Sequence, residues 1–172
     1  MARVSLAIVL VLQGASLLSG QTAPPTSIEA SGIRVNVPSG WTANRELLAA
    51  GGPISITNFR GAYDRGGIVP PNGAEMELTS VSTPRNLAQF IQTELKGTNY
   101  DKLQEVSESG KTGIRVSYVE LLAKDVSLTN VVFYVPRGTK LYKFYLTHRT
   151  ADPNESNFLL TFKNLISSAQ LQ

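Results

Sequence analysis

The chain contains no cysteine among its 172 residues. That absence removes disulfides, thiolate metal sites and a cysteine nucleophile. It also removes the thioether lipid anchor of a bacterial lipoprotein. Histidine is almost missing: His148 stands alone, so histidine pairs and histidine-rich metal sites are excluded. An excess of one charge is lacking too. There are 16 basic and 13 acidic residues, a formal charge of +3. Arg3 is the only charged residue before position 24, so removing that segment leaves 15 basic against 13 acidic residues. The two signs are interleaved and no basic stripe with supporting aromatics occurs, which argues against nucleic acid as a partner. Phosphate loops are missing as well. The pairs Gly51-Gly52 and Gly66-Gly67 are not followed by Lys-Ser/Thr and open no strand–turn–helix unit.

What is present begins with the first twenty-odd residues. Arg3 precedes an apolar run, Val4-Ser-Leu-Ala-Ile-Val-Leu-Val-Leu12, and small residues follow at Gly14, Ala15, Ser16, Ser19, Gly20 and Ala23. A positive start, a short apolar core and a small-residue exit make a secretory signal. Gln13 interrupts the apolar stretch, which is too short for a comfortable transmembrane helix. The expected organisation is a signal peptide over residues 1–23, an extended leader with Pro24-Pro25 over 24–30, and one domain over 31–172. The protein is expected outside the cytoplasm, periplasmic or secreted, with no stable membrane insertion after cleavage. With 42 % hydrophobic and 17 % charged residues, the chain has the composition of a globular domain with a real core.

Hydrophobic periodicity divides the domain into strands and helices. Ile33-Arg-Val-Asn-Val37 and residues 74–81 alternate apolar and polar, as half-buried strands do; residues 54–59 form another strand with Ile54 and Ile56 facing the core and Phe59 outside that alternation. Residues 45–50 form one helical turn or a loop. Thr83-Pro84 reads as a helix start, and Leu87, Phe90, Ile91 and Leu95 then share one helical face. Residues 103–108 and 112–123 form an antiparallel pair about Ser109-Gly110. Residues 128–135 and 141–147 form the next hairpin around Pro136-Arg-Gly138. Both carry apolar residues on both faces, which places them at the centre of a covered sheet. Asp152 and Pro153 read as the cap and first position of a last helix, with Glu155 as the capping-box partner. Phe158, Leu159, Phe162, Leu165 and Ile166 form its buried stripe. The expected fold class is α+β, an antiparallel sheet flanked by helices as an α/β/α sandwich.

Candidate chemistry is sparse. His148 as a general base would need Asp152 or Ser156 beside it, and no Gly-x-Ser-x-Gly occurs. Glu75 and Glu77 lie two apart on a strand, so they share its outward face; a pair of solvent-facing carboxylates is the simpler reading than a cation or glycoside site. Tyr142 and Tyr145 face opposite ways, one of them under the last helix. No cofactor and no metal is expected. Residues 60–73, Arg60-Gly-Ala-Tyr-Asp-Arg-Gly-Gly-Ile-Val-Pro-Pro-Asn-Gly73, hold four glycines and two prolines without periodicity, a long loop for a small domain. Tyr63 and Arg65 are residue types enriched at interface anchors, and Ile68 lies next to them. The loop is therefore either a partner contact through Tyr63, Arg65 and Ile68 or a solvated connection.

Taken together, Val37-Pro-Ser-Gly-Trp41 at the end of an opening strand, the glycine-rich loop, the helix after Thr83-Pro84, the aromatic hairpin, Thr147-His-Arg-Thr-Ala-Asp152 and a final helix ending in Leu165-Ile-Ser-Ser168 resemble the PsbP-like fold family. The resemblance covers nearly all of residues 31–170. Members include the lumenal accessory protein of photosystem II and exported bacterial domains. It implies a sheet between helices and a binding or assembly role, and it implies no catalysis. The expected function is non-enzymatic: an exported accessory domain docking an envelope or secreted protein partner. The alternative is a small-molecule or lipid binding protein using a cleft between sheet and helix.

Overall fold

A computed structural model describes residues 26–59 and 69–172. The signal segment 1–23 and the loop residues Tyr63, Arg65 and Ile68 lie outside the described residues.

The alternating segments become strands and the 3.6-period segments become helices. In chain order they are β1 (Ser27–Ala30), β2 (Ile33–Asn36), β3 (Thr42–Ala43), α1 (Arg45–Ala49), β4 (Ile54–Thr57), β5 (Ala74–Ser82), α2 (Leu87–Glu94), β6 (Gln104–Glu108), β7 (Lys111–Ala123), β8 (Val126–Arg137), β9 (Lys140–Arg149), α3 (Glu155–Ser168) and β10 (Gln170–Leu171). Seven of the strands form one sheet in the order β3-β4-β5-β9-β8-β7-β6, and all its described pairings are antiparallel. A second sheet has the order β1-β2-β10. Ser27–Ala30, read from the sequence as leader, is therefore a paired strand, with Ile28 opposite Val35.

The run Val131-Val-Phe-Tyr-Val135 in β8 is buried on both faces, as a central strand requires. On one face Phe133, Phe144, Leu146, Met76, Leu78, Ile54 and Ile56 pack under Phe158, Phe162, Leu165 and Ile166 of α3, and β2 adds Ile33 and Val35. Each such aliphatic or aromatic side chain contributes about 1.5–3 kcal/mol when fully buried. On the other face Val116, Val132, Tyr134 and Leu141 pack under Ile91 and Leu95 of α2. The molecule is an α+β sandwich with an antiparallel sheet between helices.

Both long helices begin later than their first sequence signals. At α2 the Asn86 side chain accepts the Gln89 amide at 3.0 Å, so Asn86 and not Thr83 is the cap. Thr83 instead ties the end of β5 to the β8–β9 turn, its amide donating to the Thr139 carbonyl at 2.9 Å. At α3 the cap position is Asn154, which makes no side-chain cap bond. Asp152 is held two residues upstream, where its Oδ1 accepts the Asn154 amide at 2.9 Å. Ala151, at φ 58°, turns the chain there and delays the helix. Residues 45–49 are helical, and Asn44 accepts the Leu47 amide at 2.9 Å.

β7 outruns its outer neighbour. β6 pairs only with Lys111 to Arg115, and one further bridge joins Tyr100 to Tyr118. Beyond Tyr118, no described strand pairs with β7 on that side. β8 continues to hold its other edge as far as Ala123, with an irregularity between Leu121 and Ala123.

Candidate functional site

The residues proposed for acid–base chemistry do not assemble. His148 is fully buried on the α3 face of β9, its ring centroid 5.8 Å from that of Phe158. Its Nδ1 lies 2.8 Å from the Arg149 carbonyl oxygen, so that nitrogen carries the proton and donates. Its Nε2 is buried with no hydrogen-bond partner among the described residues. Asp152 spends both oxygens on backbone: Oδ2 accepts the Asn72 amide at 2.8 Å and Oδ1 the Asn154 amide. Among the described residues no hydrogen bond joins His148 to Asp152, Glu155 or Ser156. The Asp152 carboxylate clamps the loop end at Asn72 to the start of α3, with help from Arg149 Nε, which donates to the Val69 carbonyl at 2.9 Å.

Glu75 and Glu77 do share one face of β5, but they are half-buried and not solvent-facing. Ser55 Oγ donates to Glu75 Oε1 at 2.7 Å. Burial, reinforced by the neighbouring Glu75 charge, pushes the Glu77 carboxyl above its ordinary range.

Tyr142 and Tyr145 point to opposite faces as their spacing requires. Tyr142 is buried in the α3-side core and its hydroxyl donates to the Gln172 carbonyl. Tyr145 lies on the α2 side, where a polar cluster forms. Glu94 Oε1 accepts from both Lys143 Nζ and Tyr145 Oη, each at 2.8 Å. Lys143 Nζ also stands 5.6 Å from the centroid of the Tyr145 ring. Burial, then the hydrogen bond to Glu94, holds the Tyr145 phenol far above the usual range. Tyr118 is raised by burial and by Glu120 and Glu94. Tyr134 is raised chiefly by burial.

This cluster borders a groove of about 450 Å³ between the C-terminal end of α2 and the free length of β7. Its lining includes Glu94, Asn99, Tyr118, Glu120, Leu121 and Tyr145. On the adjoining strand Val119 is 51 % exposed and Leu121 is 71 % exposed, unusual for large apolar residues on a strand. The backbone there faces outward too. The Ser117 carbonyl turns away from β8 to accept the Asp101 amide at 2.8 Å, and the two-residue period gives Leu121 the same orientation.

The sequence reading missed this edge, although its signal was present. A strand over 112–123 against a partner over 103–108 leaves several residues with no neighbour. The structure brings Glu94, Tyr118, Glu120 and Tyr145 together from three elements, which periodicity within one element does not register.

No family model matches the chain, and no curated protein sequence matches it. Solved structures do. A Bacteroides thetaiotaomicron structure is 10 % identical with a TM-score of 0.57, over 84 % of this chain and 47 % of that one, so the chain spans just under half its length. The Ran-binding protein Mog1p of Saccharomyces cerevisiae is 13 % identical with a TM-score of 0.56, covering 86 % of this chain and 95 % of its own. Cyanobacterial PsbP from Synechocystis is 14 % identical with a TM-score of 0.50, covering 89 % and 96 %. The order and pairing of strands and helices, matched over most of the described chain, give this protein the PsbP-like fold.

Proposed function

We propose that the protein is a non-enzymatic, exported accessory domain that docks a partner protein through the free outer end of β7. The observation that carries this reading is the edge beyond Tyr118, which no described strand pairs and which bears the exposed side chains of Val119 and Leu121. An edge strand with apolar side chains is a ready template for another chain. Natural domains cover or charge such edges when they are not used. Export is supported by Arg3 and the short apolar run behind it. A protein-binding role also fits a fold that is found in Mog1p, a Ran-binding protein. A lipid carrier fits the groove less well, because carboxylates line it where a continuous apolar wall is needed.

Site-specific photocrosslinking in the native envelope tests the reading. A photoreactive amino acid at Leu121 is expected to give a discrete adduct with one protein. The same group at Leu160, an apolar position of α3 that is 58 % exposed, is expected to give none. Equal adducts from both positions, or none from either, would overturn it. Sequencing the N-terminus of the native protein tests export, and an intact Met1 would contradict it.

A further inference from the structure

The chemistry of the groove says what the docked chain carries. We infer that the partner offers an extended segment which pairs with β7 beside Leu121 and sets one lysine or arginine side chain into the groove between Glu94, Glu120, Tyr118 and Tyr145; this rests on the docking reading above.

Four observations lead there. Glu94 uses Oε1 for both Lys143 and Tyr145, and among the described residues no donor reaches its Oε2. The Glu120 carboxylate lines the same groove with no hydrogen bond or ion pair to any described residue, and no basic side chain is among the described residues that line it. Tyr118 and Tyr145 line the groove next to those carboxylates, and Lys143 Nζ already stands over the Tyr145 ring, a combination that favours a cation. The C-terminal end of α2 also lies there, at Leu95 and Gly97, with no basic residue in its last turn, so its dipole adds negative potential to the groove.

Geometry links groove and edge. A strand added to β7 would lie about 4.8 Å away, and its side chains on the α2 side would stand beside Tyr118 and Glu120. A second copy of this chain fits poorly. Pairing two such edges would bring Glu120 and Glu94 of both copies to one face, setting like charge against like.

The probe is a blocked peptide, acetyl-Thr-Val-Thr-Lys-Thr-Val-Thr-amide, titrated into the 15N-labelled domain. Its comparators carry norleucine or glutamate in place of lysine, and cadaverine serves as a free amine. The lysine peptide is expected to shift the amides of residues 119–121 and to bind at least tenfold more tightly than the norleucine peptide. Glu120→Gln, a change at an exposed position, is expected to erase most of that difference while the amide spectrum elsewhere stays unchanged. Equal binding of lysine, norleucine and glutamate peptides at 119–121 would overturn the cation inference and leave edge docking standing. No shift at 119–121 with any peptide would overturn the inference, and the Leu121 crosslink then decides separately whether docking survives. Binding of cadaverine as tight as that of the lysine peptide would assign the groove to a small amine instead. A concentration-dependent dimer in sedimentation, lost on Leu121→Lys, would assign the edge to a second copy.

Discussion

Replacing Asp152 separates a structural carboxylate from a catalytic one. Its two oxygens take the backbone amides of Asn72 and Asn154 at 2.8 and 2.9 Å, and the residue is 7 % exposed. Hydrogen bonds to a charged acceptor contribute about 1.5–3 kcal/mol each. Asp152→Asn keeps one acceptor oxygen and turns an amide donor towards the other backbone N–H. One bond is lost and one repulsive contact is made, so the expected cost is about 1.5–3 kcal/mol. Asp152→Ala removes both acceptors. Water can reach part of the vacated surface, so its expected cost is about 2–4 kcal/mol and not the full double. For a chain of this size each kcal/mol lowers Tm by about 2–4 °C, which places Asp152→Asn about 3–12 °C below wild type. Urea unfolding followed by circular dichroism checks the ranking, and an unchanged m-value is expected if only native contacts are lost. Both variants unfolding within about 0.5 kcal/mol of wild type, the range of ordinary surface changes, would refute the clamp.

Three further outcomes follow from the packing and electrostatics. Gly113 is buried in β7, and a Cβ there would lie 2.1 Å from the Tyr134 carbonyl oxygen; Gly113→Ala is expected to cost roughly 1–3 kcal/mol or more by forcing β7 from β8, and an unchanged Tm would contradict this. Phe158 packs edge-on to Trp41 with centroids 6.4 Å apart; Phe158→Ala is expected to lose about 3–5 kcal/mol together with the near-ultraviolet signal of Trp41, and retention of both would count against the α3-side core. Glu77 has its carboxyl raised by burial and by Glu75. Below its ordinary pKa of about 4.5 the group is protonated in both folded and unfolded states, and above it the folded state disfavours the charge. Glu77→Gln is therefore expected to be more stable than wild type at pH 7, with the gain fading as pH falls towards 4.5 and gone at pH 3; a gain that persists at pH 3 would exclude ionisation as its cause.

Much of this architecture was legible because burial imposes a period. Met76 and Leu78 alternate with Glu75 and Glu77, so the orientation of β5 follows from its residues alone. Phe158, Phe162, Leu165 and Ile166 likewise mark the buried stripe of α3. The helix starts were displaced because two residues compete for each cap. Thr83 is drawn to the β8–β9 turn and leaves Asn86 to cap α2, a choice made by contacts about fifty-five residues away in sequence. The two-residue strands β3 and β10 carry too few residues to show alternation and are specified by their neighbours. Tyr63, Arg65 and Ile68 remain a sequence expectation, since they lie outside the described residues. The candidate edge depends on which strand ends first, a comparison between β6 and β7 that lengths reveal and residue types do not. The groove needs tertiary structure altogether, because Glu94 and Tyr145 are about fifty residues apart in sequence.

Amide hydrogen exchange at Leu121 is the most direct test of the docking edge. In the isolated domain its N–H points away from β8 with no described strand to receive it, whereas that of Glu120 points towards β8 opposite Leu128. Fast exchange is expected at Leu121 beside slower exchange at Glu120, with protection of Leu121 once the partner is bound. Strong protection of Leu121 in the isolated monomer, or no change there in the complex, would contradict the claim that β7 is the docking edge.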